Sequence, residues 1–239
     1  MSKYLYLLHG FYESSWIWDQ VKTELENKLD YKIITPDLLG FGINKTNQVT
    51  YKAQAEDIIS SFPKNSESIS IIAHSSSGTT LALILENYNG DNIDKAIFLD
   101  STVTDSNTSL LELRDVENQK RLEQESLDNN GFIKAKLPIV QNNLFTSIDP
   151  EEVEIIYFPK LEPTPFNLYK DKPELSKFYA NSTFASERIF IECELSSKDD
   201  YRKKTAKKIQ AELISIKADH QVMLTNPGLF IETITNLFS

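Results

Sequence analysis

The chain has 239 residues, 40% hydrophobic and 25% charged, the make-up of an ordinary globular protein with a sizeable core. A net charge of −10 argues against a nucleic-acid partner or an anionic membrane surface, and no apolar run approaches the roughly 20 residues of a membrane span. The single cysteine, Cys193, excludes an internal disulfide and fits a reducing compartment, so the expected location is the cytoplasm. Three histidines, with no CxxC or HExxH pattern, rule out a histidine-rich metal site; no cofactor is expected.

Residues 3–8 read as a short buried strand ending in His9-Gly10-Phe11-Tyr12. Ser14 or Ser15 caps a helix from Trp16 to about Leu29, with Trp18, Val21, Leu25 and Leu29 on one face. A second strand over 31–37 breaks into Leu38-Leu39-Gly40-Phe41-Gly42. Thr50 or Gln54 then opens a helix through about Phe62, which Pro63 stops. The third strand, through Ile72, meets Ala73-His74-Ser75-Ser76-Ser77-Gly78 and turns at once into a helix from Thr79 to about Tyr88, closed by Asn89-Gly90. Residues 94–99 form a fourth strand ending at Asp100.

Short apolar strands alternating with helices of ~10–15 residues predict a mostly parallel α/β sheet, because parallel neighbours need a crossover. Over 102–187 the alternation stops. A charged helix over about 110–127 gives way to segments punctuated by Pro138, Pro150, Pro159, Pro163, Pro165 and Pro173. This stretch reads as an insertion over one end of the sheet, and its aromatics (Phe145, Tyr157, Phe158, Phe166, Tyr169, Phe178, Tyr179) either line a pocket or pack the insertion down. The rhythm resumes with a strand at 188–191, a basic helix at about 202–210, a strand at 211–217 ending in Ala218-Asp219-His220, and a closing helix at 230–238. With no repeats or linkers, 1–239 reads as one domain carrying the insertion.

Chemistry concentrates at the strand ends. A strand that reverses into a helix without a loop needs small side chains around the turn, and Ala73 and Ser77 flank Ser75 as such a pair. That geometry strains the central residue and exposes its hydroxyl, the physics of the GxSxG nucleophile elbow, although both flanking glycines are replaced here. A serine there needs a base, and His220 follows the last strand late in the chain, in the Ser…acid…His order. His9 and His74 read equally well as structural residues. An anionic tetrahedral intermediate needs backbone donors, and the N–H groups of Ser76, at the helix start, and Phe11, after His9-Gly10, are placed to form an oxyanion hole.

Over nearly its whole length the sequence resembles the α/β-hydrolases, closest to the plant methylesterase and hydroxynitrile lyase group and its bacterial relatives. The resemblance rests on His9-Gly10 with Trp16-Ile17-Trp18, on 37–42, and on His74-Ser75. It extends to Asp149-Pro150-Glu151-Glu152-Val153 with Pro159 and Pro163-Thr164-Pro165, similar to the group's lid, and to 218–224 with Pro227. It implies an α/β-hydrolase fold with a helical lid after the fourth strand. Gly10, His74 and Gln221 stand where that group's cyanohydrin-cleaving members carry threonine, glutamate and lysine, which points to ester hydrolysis.

The acid departs from the pattern. In register with the family it would follow the 188–191 strand by about five residues, where this chain has Ser196. Asp100 is the favoured replacement, with Glu194 and Asp199 as alternatives. The reading is a cofactor-free serine esterase acting on a small-molecule acyl substrate, with Ser75, His220 and Asp100 as catalytic residues. Three alternatives stand beside it: a lyase on the same scaffold, a biosynthetic tailoring enzyme, and a degenerate hydrolase that binds without turnover. A homodimer is compatible with the sequence.

Overall fold

The computed structural model describes residues 2–90, 92–180, 185, 187–196 and 200–239. Strand β1 (Ser2–Leu8) leads through a 3-10 turn (Ser15–Trp18) into α1 (Asp19–Lys28), followed by β2 (Lys32–Ile34) and α2 (Tyr51–Ser60). Next come β3 (Ser66–His74), α3 (Ser77–Asn87) and β4 (Ile93–Leu99). The insertion holds α4 (Val116–Asp128), β5 (Phe132–Ile133), α5 (Leu137–Asn143), α6 (Pro150–Glu152), β6 (Thr164–Pro165), α7 (Phe166–Lys170) and α8 (Ser176–Ala180). The chain ends with β7 (Glu187–Cys193), α9 (Tyr201–Lys208), β8 (Glu212–Ile216), α10 (Val222–Thr225) and α11 (Pro227–Leu237).

Six strands pair in the order β2-β1-β3-β4-β7-β8, every neighbour parallel. Period-two alternation divides their side chains between two buried faces. Leu5, Leu7, Ile72, Ile97 and Ile189 pack toward Trp18, Val21, Leu25, Phe230 and Ile234. Tyr6, Leu8, Ile71, Ala73, Ala96 and Phe98 pack toward Ala55, Ile58, Leu81 and Leu85. The chain leaves β1 on one side for β2 and returns on the other as β3, so the strand order reverses at β1/β3. The carboxyl ends of that pair carry His9-Gly10 and Ser75, the crevice where open α/β sheets take ligands. No helix among the described residues is long and apolar enough to cross a membrane.

Several boundaries differ from the sequence reading: the first helix begins as a 3-10 turn with no side-chain cap from Ser14, and two others differ for plain physical reasons. Strand β2 stops at Ile34, since Pro36 has no N–H to donate to a ladder. Asp37 instead ties the following loop, its carboxylate accepting from Ser15 N at 2.8 Å and Ile43 N at 3.2 Å. Helix α3 ends at Asn87 with Tyr88 extended, so Asn89-Gly90 lies beyond its cap. Thr50 does cap α2, its hydroxyl accepting from Ala53 N at 3.1 Å.

The insertion contains a short antiparallel ribbon, Phe132 opposite Pro165 and Ile133 opposite Thr164, that the sequence reading did not include. Its prolines start helices as much as they break them. Pro150 opens α6 behind an Asp149 cap, and Pro138 lies in the first turn of α5. Most of its aromatics are packing residues: Phe145 stacks on Tyr157 with centroids 4.8 Å apart, and Phe178 is fully buried. Of the seven named from sequence, Tyr169 lines the cavity beside His220.

Candidate active site

Ser75 has φ 57°, the left-handed conformation that a non-glycine residue adopts only under constraint. The constraint is visible. Its N–H donates to Leu99 O at 3.1 Å, and its carbonyl accepts from Gly78 N at 3.2 Å and Thr102 N at 2.9 Å. Ser101 Oγ donates to Ala73 O at 2.6 Å, so the segment after β4 straps both sides of the elbow. Ser77 does more than leave room, donating from its hydroxyl to Leu8 O at 3.1 Å and His74 O at 2.7 Å. The tightest approach falls one residue later. A Cβ on Gly78 would lie 2.7 Å from Ser101 Cβ and 2.8 Å from Thr102 O.

The other wall of the elbow is Gly10. A Cβ there would lie 2.7 Å from Ser75 Cβ and 3.2 Å from its Oγ. The absence of a side chain at Gly10 therefore lets the β1 loop reach the serine. The N–H groups of Phe11 and Ser76 have no acceptor among the described residues, as donors for an oxyanion must.

His220 lies in the loop between β8 and α10, two residues before the helix, and is 6% exposed. Its Nδ1 is 2.5 Å from Asp100 Oδ2. An ionised carboxylate only accepts, so Nδ1 carries the proton and Nε2 is left as the lone-pair nitrogen. Ser75 Oγ and His220 Nε2 are not hydrogen-bonded to each other. Asp100 ends β4 with φ 45° and is nearly inaccessible. It also accepts from Cys193 N at 3.2 Å, Ser196 Oγ at 2.7 Å and Arg202 Nη2 at 2.8 Å, and is paired with Arg202 Nε. Burial alone would raise its pKa. The hydrogen bond and charge of His220, with Arg202, outweigh burial and hold the carboxyl well below the usual range.

Ser196, the position in register for the acid, thus supplies a hydroxyl to the carboxylate that stands elsewhere. Glu194 is exposed on the turn after β7, its backbone N–H bonded to Ile216 O. Asp199 lies outside the described residues.

A second histidine–carboxylate pair was not read from the sequence. His74 Nδ1 lies 3.2 Å from Glu13 Oε2, and His74 Nε2 lies 2.9 Å from the carbonyl of His220. Both acceptors lack protons, so both ring nitrogens must donate and His74 is an imidazolium. Glu13 also accepts from Gly10 N at 2.9 Å and from Gln221 Nε2. Burial opposes its ionisation, but the charge and hydrogen bonds of His74 and the amide of Gln221 bring its pKa down to about 2. Burial likewise opposes the His74 cation, and Glu13 outweighs it, raising the His74 pKa. His220 moves the other way. Burial and then the positive His74, its ring centroid 4.5 Å away, depress its pKa against the pull of Asp100. His9 is structural: Nε2 accepts from Leu38 N at 3.0 Å, leaving Nδ1 to donate to Gly10 O at 2.9 Å.

The cavity beside His220 has a volume of about 500 Å³, within the range of small-molecule sites. Tyr12 and Tyr169, whose hydroxyls are 3.0 Å apart, form part of its wall, with Arg114, Arg121 and Arg202. Neither Glu13 nor Arg202 announces itself in the sequence. The only hint of Arg202 was the basic character of its helix, and Glu13 sits in a loop whose inward face periodicity does not reveal.

A parallel sheet of this order, with a serine elbow after β3 and a covering insertion after β4, defines an α/β-hydrolase. The family model for the alpha/beta hydrolase fold matches residues 3–147, and the chain belongs to that family. Among curated proteins, it is 26% identical to polyneuridine aldehyde esterase of Rauvolfia serpentina, over 94% of this chain and 91% of that one. It is 24% identical to methylesterase 3 of Arabidopsis thaliana, over 94% and 92%. Among solved structures, it is similar to an extracellular α/β-hydrolase from a Paenibacillus species, itself described as sharing structural and functional homology with tobacco salicylic acid binding protein 2. The TM-score is 0.86 at 20% identity, covering 99% and 98% of the two chains. The crystal structure of polyneuridine aldehyde esterase gives 0.72 at 22%, with both chains covered in full. The chain is thus an α/β-hydrolase, and the curated proteins it is similar to are esterases and methylesterases.

Proposed function

We propose that this protein hydrolyses a small ester through an acyl-serine intermediate on Ser75. The observation that carries the reading is the 2.5 Å contact of Asp100 with His220 Nδ1, which leaves Nε2 as a base near neutral pH. In this reading His220 takes the Ser75 proton as Oγ attacks the carbonyl, and the N–H groups of Phe11 and Ser76 bind the oxyanion. The tetrahedral intermediate collapses, His220 protonating the leaving alkoxide. Water, deprotonated by His220, then attacks the acyl-enzyme, and Ser75 regains its proton as the acid product leaves.

The contact of Asp100 with His220 argues against one of the two grounds for a degenerate binding protein, the missing in-register acid; the other, the loss of both elbow glycines, is met by the left-handed Ser75 turn. The lyase reading lacks its cation next to His220, since Gln221 is fully buried and donates to Glu13. We take the cytoplasm as its compartment, on the single buried thiol of Cys193. Hydrolysis of p-nitrophenyl butyrate and labelling by a fluorophosphonate probe test the reading: both should disappear in Ser75→Ala. Hydrolysis at the wild-type rate in that variant would refute the assignment of Ser75.

A further inference from the structure

Three of the chain's four arginines, Arg114, Arg121 and Arg202, line the cavity beside His220. Among the described residues, its lining includes no aspartate, glutamate or lysine. In a chain of net charge −10, this pocket reverses the sign of the molecule. The three cations are not equivalent. Arg202 is paired with Asp100, and that pair is close to neutral. Arg121 donates to Asn118 Oδ1 and Glu125 Oε2, each at 3.3 Å, but Glu125 is shared with Lys136 Nζ at 3.0 Å. The guanidinium of Arg114 has no acceptor among the described residues. Beside them, the hydroxyls of Tyr12 and Tyr169 can satisfy only one proton between themselves, leaving one phenolic donor over. Burial raises the pKa of both phenols, so they remain donors.

We propose that the ester taken by this site carries a carboxylate remote from its scissile carbonyl, bound by Arg114 and Arg121 with the spare phenolic proton of the Tyr12–Tyr169 pair. The inference rests on the serine-esterase reading above. Among the described residues, the uncompensated charge is that of Arg114 and part of that of Arg121, which balances a monoanion better than a phosphate dianion. Guanidinium groups present paired N–H donors in the spacing of carboxylate oxygens, which favours Arg over Lys for this task.

The test compares matched esters. Mono-p-nitrophenyl glutarate against p-nitrophenyl valerate places the charge on the acyl side, and 4-carboxyphenyl butyrate against phenyl butyrate places it on the alcohol side. In at least one pair, kcat/KM at low ionic strength should favour the anion by roughly tenfold. That ratio should fall toward one in Arg114→Gln/Arg121→Gln and on adding salt, while Lys52→Gln, an exposed lysine outside the cavity, keeps it. No preference in either pair, or a preference that survives the double substitution, overturns the proposal. Binding separates this failure from failure of the esterase reading. Millimolar glutarate should raise the Tm of Ser75→Ala but not that of the triple variant, whether or not any ester is turned over. No shift in Ser75→Ala overturns the anion site.

Discussion

Glu13 and His74 form a buried ion pair one residue before the serine elbow, with 3.2 Å between carboxylate and ring. The pair fixes the site from behind: His74 holds the His220 carbonyl, and Glu13 gathers Gly10 N and the Gln221 amide. Removing one partner of such a pair leaves an uncompensated buried charge, so Glu13→Gln should cost about 3–5 kcal/mol in unfolding free energy. The pH dependence has a definite sign. Glu13's contribution is complete above about pH 4.5 and is lost as pH falls through about 2. His74's contribution is complete below about pH 6.5 and is lost as pH rises through its raised folded value. Urea unfolding from pH 5 to 9 should therefore show wild-type stability declining on the alkaline side more steeply than that of Glu13→Gln. Equal slopes would refute the ion pair as described.

Asp100→Asn tests the orienting carboxylate. An amide at this position can present its NH2 to Nδ1 and favour the wrong tautomer, a change that costs about 10⁴-fold in kcat in a serine protease. We expect a loss of two to four orders of magnitude in ester hydrolysis with little change in KM. Fluorophosphonate labelling should slow in parallel, since it uses the same base. A variant within threefold of wild type would move the acid role away from Asp100.

Arg202 acts on His220 through Asp100. The guanidinium neutralises part of the carboxylate's field, and its own charge further disfavours the imidazolium. Without it, Asp100 pulls harder on a proton at His220, so the His220 pKa rises. In Arg202→Gln the acid limb of kcat/KM should move to higher pH by up to about one unit. In the wild type the same limb should lie below pH 6.5, because His220 is depressed. A limb that moves down, or not at all, would show that Arg202 serves only to pack the loop.

What the sequence made legible follows from how local each feature is. Ser75 and His220 sit at the ends of strands whose apolar runs and small-residue turns are written in consecutive residues. Asp100 was legible only as one of three carboxylates, because the ends of β4 and β7 both reach the histidine loop, and only tertiary placement decides between them. Ser196, after β7, donates to Asp100, after β4, at 2.7 Å, a contact between the two strand ends that no local pattern announces. The Glu13–His74–Gln221 cluster joins positions 61 and 208 residues apart, and no periodicity encodes such a meeting. The lid aromatics divide in the same way. The break in strand–helix alternation signalled a covering element, but the packing of Phe145 on Tyr157 and the cavity position of Tyr169 depend on how short helices fold over one another.

Ser75 carries the strain that the elbow needs, and the strain is separable from the chemistry. A non-glycine residue at φ 57° costs about 1 kcal/mol or more, while glycine adopts this conformation freely. Ser75→Gly should therefore unfold later than Ser75→Ala, which keeps a Cβ in the same backbone conformation. The expected gap is about 1 kcal/mol, net of glycine's greater freedom in the unfolded chain, or roughly 2–4 °C in Tm for a domain of this size. Both variants should lose esterase activity alike, since neither retains a hydroxyl. Thermal and urea unfolding of the two proteins side by side is the measurement. If Ser75→Ala proved as stable as Ser75→Gly, the strain would lie outside this residue, and the hydrogen bonds to Leu99 O and from Gly78 N and Thr102 N would be holding an unstrained turn.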